Sequence, residues 1–353
     1  MLRSGAFVIL LMRASGSLAC HAFRQTNMTV VPELGERYAA TVTGCIQRTE
    51  FETVVTEIYV KNQAVPLLER DAIRHMRQLT TVSLERCQIA TVQPAVFRNV
   101  PRLRRVRLAF NEFKKVPKGT FSTLPQLEVL ELTHNEIEEI EDGAFGNCTT
   151  LKKVRVGFNN FEVWSDKWFT NSTNVELIDF QHNAIKVLPR RAFGQLQQLE
   201  NICFDYNELE AIHDEAFVGI ARLEFLGLRY NKLKSIQPTV FSNGLTITNL
   251  MLDANFLNYL PMRLMGRIEV KEMSVFGNPW KCPCLDQIYR WLHETNGSIK
   301  VLDFCSGREI PVCYSGSSHV CRDTVDDEGT AWYLETLKKL KPPLHKFCAR
   351  LGT

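Results

Sequence analysis

The chain has 353 residues, 45% of them apolar and 23% charged, enough to bury a substantial core in one elongated domain. Its formal net charge of +3 is too small for a general electrostatic grip on nucleic acid. The pattern brings no nucleophile, base and orienting group together, and no Gly-rich phosphate loop opens a helix, so no enzyme, cofactor or metal site is expected.

In chain order, residues 1–19 carry Arg3, an apolar run from Ala6 to Met12 and small residues up to Ala19. With Ser17 and Ala19 at the small positions before a cut, they predict a secretory signal, although Arg13 interrupts the apolar run. Eleven cysteines agree with export, as do glycosylation triplets beginning at Asn27, Asn147, Asn171 and Asn296. Residues 20–54 are expected to form an N-terminal cap, in which Cys20 and Cys45 are available to pair.

Residues 55–278 form a repeat array. Val55, Ile58, Val60 and Val65 make a degenerate first unit with Gln63 where later units place asparagine. That column then runs Cys87, Asn111, Asn135, Asn159, Asn183, Asn207, Asn231, Asn255 and Asn278, spaced by 24 residues at every step except the last, which is 23. Phe97, Phe121, Phe145, Phe169, Phe193, Phe217 and Phe241 keep the same step. Two columns in phase mark stacked supersecondary units, none of which buries its apolar face alone. Leu130 and Leu132 alternate as a short inward-facing strand, and the asparagine that follows has the donors and acceptor to satisfy buried backbone groups of neighbouring turns.

The phrase L-x-x-L-x-L-x-x-N-x-I, read from Leu127, resembles the extracellular leucine-rich repeat superfamily. The resemblance implies an α/β fold: a curved horseshoe solenoid with a parallel concave sheet, closed at its C-terminal end by a disulfide-bonded cap. It also implies a partner protein rather than a substrate, and it tolerates Cys87 in the asparagine column. Phe121 and its equivalents are expected to fill the convex side. Asn147 and Asn171 fall two residues after the convex Phe of consecutive units, where a glycan leaves the concave face open.

Residues alternating with the inward ones are expected to face the concave hollow. Immediately before the asparagine column stand Phe110, His134, Phe158, His182, Tyr206 and Tyr230, a ridge of about 25 Å if strands lie about 4.8 Å apart. Such rings either anchor a partner or simply stack on one another. Three residues further back, Arg107, Glu131, Arg155 and Asp179 alternate in sign, and before them Glu176, Glu200 and Glu224 form an acidic run expected to lack compensating charge. Arg107, Arg155 and Glu176 complete the expected binding surface. His134 and His182 are two strands apart, too far for an obvious shared metal.

At residues 279–321 the text changes to N-P-W-x-C-x-C-L, starting at Asn278, followed by Ile288, Trp291 and Leu292 on one helical face. This resembles the cysteine-rich C-terminal cap of the superfamily, which implies that Cys282 and Cys284 pair downstream, with Cys305, Cys313 and Cys321 as candidates. Cys87 and Cys148 fall in core columns and are expected to be buried thiols, whereas Cys203, in an outward column, and Cys348 are available to link chains. Residues 322–353 form a tail with a short helix around Ala331 to Leu340, and no stretch after residue 19 has the apolar length of a membrane span. Taken together, a secreted, non-enzymatic extracellular scaffold is expected, similar to secreted arthropod leucine-rich repeat proteins of innate immunity but without the coiled coil of the mosquito immune family. Its ligand is expected to be an extracellular protein, with a microbial surface or self-association as related possibilities. The alternative is an adhesive matrix component or a receptor ectodomain.

Overall fold

A computed structural model describes residues 20–300, 312–316 and 319–340, so the signal segment, Cys305 and Cys348 lie outside the described residues. Thirteen strands form one sheet in the spatial order β2-β1-β3 and then β4 through β13 in sequence. They are β1 Phe23–Pro32, β2 Tyr38–Gly44, β3 Val55–Lys61, β4 Thr81–Glu85, β5 Arg105–Arg107, β6 Val129–Glu131, β7 Lys153–Arg155, β8 Leu177–Asp179, β9 Asn201–Cys203, β10 Arg222–Gly227, β11 Leu245–Met251, β12 Ile268–Ser274 and β13 Ser298–Ile299. From β3 onward every pairing is parallel, and equivalent residues face each other, as in Val106 opposite Leu130 and Leu130 opposite Val154. One-repeat spacing therefore fixes the register directly.

The N-terminal cap departs from an all-parallel sheet. β1 pairs antiparallel with β2 and with β3, placing Asn27 opposite Thr41 and Val30 opposite Ile58. Thr26, Met28 and Val30 alternate inward along β1 and cover the open end of the core, and Cys20 is bonded to Cys45 beside them. An antiparallel hairpin suits an end because it needs no crossover through a further repeat.

Within each repeat the strand residues Leu130, Leu132 and their equivalents are fully buried. The phenylalanine column forms a second spine on the convex side, with successive centroids 5.0–6.3 Å apart from Phe97 to Phe169 and from Phe193 to Phe241. Trp164 bridges the two halves, 6.1 Å from Phe169 and 5.2 Å from Phe193, and its indole N–H donates to the Ala192 carbonyl at 2.8 Å. In that repeat Trp168 replaces the small Ala144 of the preceding one, and a 3-10 turn, Asp166–Phe169, makes room for both indoles.

Asparagines close the strands as their chemistry predicts. The Asn135 amide donates to Leu108 O and Leu132 O, both at 2.9 Å, while its Oδ1 accepts from the Asn111 backbone N–H. One turn on, the Asn159 amide donates in the same way to Leu132 O and Val156 O, while its Oδ1 accepts from the Ile137 N–H. Cys87 keeps part of it, its thiol donating to the Val60 and Glu85 carbonyls. Burial pushes the thiols of Cys87 and Cys148 up to about 11, so both act as small core groups.

At the far end, α1 Met262–Met265 precedes β12, and α2 Cys282–Glu294 lays Leu285, Ile288 and Leu292 over the last repeat. Cys282 pairs with Cys313 and Cys284 with Cys321. The tail helix α3, Asp327–Leu340, begins earlier than the sequence suggests and packs on the cap: Tyr333 is fully buried, Asn258 donates to Thr330 Oγ1 at 2.9 Å, and Lys234 pairs with Asp327 at 2.8 Å. Among the described residues no helix is long and apolar enough to cross a membrane.

Candidate functional site: the concave sheet and its aromatic edge

The six ridge residues do come together, but not inside the strands. Phe110, His134, Phe158, His182, Tyr206 and Tyr230 lie beyond the strand ends in the left-handed region, with φ between 52° and 59°. Alternation would turn the residue before each inward asparagine into the hollow. Positive φ instead reverses the chain there, so the rings line the edge of the concave face. Each non-glycine residue held this way costs about 1–3 kcal/mol, a strain repeated in every unit.

The rings form a continuous stack. Five successive centroid distances are all 4.2 Å, with planes inclined by 21°, 12°, 15°, 8° and 6° from Phe110 to Tyr230. The Arg86 guanidinium closes the N-terminal end, 4.1 Å above the Phe110 ring. Despite the stacking, Phe110 and Phe158 keep 37% and 38% of their surface exposed, which leaves apolar area for a partner.

Burial holds both His134 and His182 below the usual histidine range, and the buried Nδ1 of His134 has no hydrogen-bond partner among the described residues. Their neutral forms therefore contribute stability above the unfolded value of 6.5, and that contribution is lost as pH falls through the lower folded values. Thermal unfolding is expected to show a larger drop between about pH 7 and pH 5 for the native chain than for the His134→Phe, His182→Phe variant. Asp179 and Asp253, raised by burial, act in the opposite direction but equally in both proteins. Equal drops would show that the imidazoles do not carry the acid sensitivity.

On the sheet itself the N-terminal half carries an ion network. Lys61 and Arg107 flank Glu85 at 3.3 Å each, and Arg107 also reaches Glu131 at 2.9 Å. The expected alternation stops there: Arg155 joins no ion pair among the described residues, and Asp179 instead accepts from the backbone and side-chain N–H groups of Gln181, both at 3.1 Å. The acidic run is also less bare than its sequence suggests. Glu176 holds Lys152 at 2.7 Å and Glu224 holds Arg222.

The C-terminal half contains groups that sequence reasoning missed. Arg229 donates from Nε and Nη2 to Asp205 Oδ2 at 2.9 and 2.7 Å, and both side chains are almost wholly buried. Asp253 accepts from Ser274 Oγ and the Phe276 N–H, and burial holds its carboxyl above the usual range. These residues stand two before each asparagine, in a column that counting back by one and four passes over. A Gln181, Asp205, Arg229, Asp253 sequence at one-repeat spacing was the available signal.

A family model of the BspA-type leucine-rich repeat region matches six copies over residues 45–176 and 114–248, more than half of the chain. The chain belongs to this family. No curated protein sequence matches it. Among solved structures, this leucine-rich repeat chain is similar to a chain of the octameric complex of Latrophilin 3, Unc5D and FLRT2 (LRR), with 22% identity, a TM-score of 0.55, and 74% of this chain and 87% of that one covered. It is also similar to the mouse RP105/MD-1 complex, with 18% identity, a TM-score of 0.58, and coverage of 69% and 42%. A third similarity is to the Drosophila Toll–Spatzle complex, with 14% identity, a TM-score of 0.51, and coverage of 69% and 38%. The chain thus spans less than half the length of the last two, and these likenesses establish the fold.

The four Asn-x-Ser/Thr triplets fall at two kinds of place, the repeats and the caps. Asn147 and Asn171 are exposed neighbours on the convex side, where Asn171 Nδ2 donates to Asn147 Oδ1 at 3.0 Å. Asn296 is exposed after α2, whereas Asn27 is exposed on β1 at the concave side and accepts from Thr41 Oγ1. Cys203 is half-buried and pairs with no cysteine among the described residues, and burial raises its thiol well above the usual range.

Proposed function

We propose that this chain is an extracellular, non-enzymatic scaffold that binds another protein across its concave sheet and aromatic edge. The observation that carries the reading is the six-ring stack with Phe110 and Phe158 still exposed. Exposed aromatic rings held in one geometry lose little entropy on binding and make strong interface anchors. Three disulfides support an oxidising compartment, reached through the expected secretory signal. The similar structures named above are protein complexes, which supports a protein ligand. Innate immune recognition is the finer role proposed, with Arg107, Arg155 and Glu176 flanking the rings.

Affinity capture from native extracellular fluid tests this reading. The Phe158→Ala, Tyr206→Ala variant is expected to lose the partner that the intact chain retains. It also breaks four ring contacts, each worth about 0.5–1.5 kcal/mol, so its unfolding temperature should fall while its fold persists. Phe158→His with Tyr206→His keeps a stack of rings and separates stability from recognition. Undiminished capture by the folded alanine variant would move the site off this edge. Self-association of the intact chain without capture would favour the adhesive role.

A further inference from the structure

On the concave sheet, β8 and β9 border a cavity of about 260 Å³. Leu177 and Phe225 give it apolar sides, Cys203 lies between them on β9, and Arg155, Asp179 and Gln181 supply its polar lining. Two of its lining side chains, Phe225 and Gln181, pack closely over glycines. A Cβ on Gly227 would come within 2.8 Å of the Phe225 ring and of Asp205 Oδ1, and one on Gly157 within 3.0 Å of Gln181 Cγ.

We infer that this cavity receives a single tyrosine side chain from the partner protein, its ring between the apolar sides and its hydroxyl between Asp179 and Arg155. This rests on the concave-face reading proposed above. Size admits one aromatic side chain, and the polar lining selects among them. Asp179 is bonded only through Gln181 and has no cation in ion-pair contact among the described residues, so it accepts a further donor. Arg155, likewise without an ion pair among those residues, offers donors. A phenol answers both groups at once, since it donates one hydrogen bond and accepts another. A guanidinium or ammonium group would satisfy Asp179 but face Arg155, whereas a carboxylate would do the reverse. An aliphatic or phenylalanine side chain would leave both groups desolvated without a partner.

The test uses methyl-labelled full chain and four probes: p-cresol, toluene, n-butylguanidinium and butyrate. The methyl signals of Leu177, Ile178 and Ile202 report occupancy. The expected result is that p-cresol binds about tenfold tighter than toluene, the worth of one charge-assisted hydrogen bond. Asp179→Asn, which keeps an acceptor for the Gln181 backbone N–H, should reduce that preference severalfold and leave toluene binding unchanged. Arg155→Met should do the same. A cation or an anion that binds tighter than p-cresol, equal binding of p-cresol and toluene, or no methyl shift with any probe overturns the inference. Partner capture that depends on Phe158 and Tyr206 while p-cresol leaves the methyls unmoved would overturn the tyrosine pocket and keep the concave-face reading. Probe binding with capture unaffected by the ring variant would support the pocket and move the other contacts off the aromatic edge.

Discussion

Arg229→Ala is expected to destabilise the folded chain by about 3–5 kcal/mol, because it leaves the Asp205 carboxylate buried without its counter-charge. Both side chains are nearly inaccessible, at 4% and 1%, and they share two side-chain hydrogen bonds. Their attraction is partly cancelled by the cost of taking two ions out of water, so the pair as a whole contributes far less than its rupture costs. Removing both charges should therefore be mild. Asp205→Asn combined with Arg229→Met retains an acceptor for the position-229 backbone N–H, which now donates to Asp205 Oδ1 at 2.8 Å, and should recover most of the loss. Urea unfolding with an unchanged denaturant slope measures both variants. A single variant as stable as the native chain would mean that water or a rearranged group reaches Asp205, and that the concave floor is less closed than described.

That ion pair also shows where sequence reasoning reached its limit. The repeat period, the asparagine ladder and the convex phenylalanines were legible because each residue does the same task in every unit, and one-repeat register follows from it. The C-terminal cap was legible through its cysteines and the apolar face of α2. Side chains before the asparagines were found but misplaced, because alternation assumes an extended backbone and the chain turns through positive φ there. Asp205 and Arg229 were passed over for the same reason: the residue two before the asparagine faces the concave side along with the one four before it. The N-terminal hairpin was not foreseen either. Thr26, Met28 and Val30 do alternate, but an end piece lacks the period that made the rest readable. In the candidate site, the identities of the rings were legible and the cavity beside them was not, since it depends on how side chains from four adjacent strands pack across the sheet.

Asn207→Ala is expected to destabilise by about 3–5 kcal/mol, since each buried polar group left unsatisfied costs about 1–3 kcal/mol. The Asn207 amide donates among the carbonyls of Phe180, Phe204 and Asp205, and its Oδ1 accepts from the Ile185 N–H at 3.1 Å. Alanine supplies none of these, and the orphaned groups belong to two consecutive repeats, so the damage spreads along the array. Asn207→Cys should cost about half as much, because the chain already shows how a thiol serves this column. Cys87 Sγ donates to Val60 O and Glu85 O, carbonyls equivalent to Phe180 O and Asp205 O, and the Val65 N–H turns from the missing amide oxygen to the Cys87 carbonyl at 2.8 Å. That arrangement lies next to the N-terminal cap, where the neighbouring unit is irregular. If Asn207→Cys proves as damaging as Asn207→Ala, the accommodation at Cys87 depends on that irregular neighbour, and the interior ladder admits only an amide.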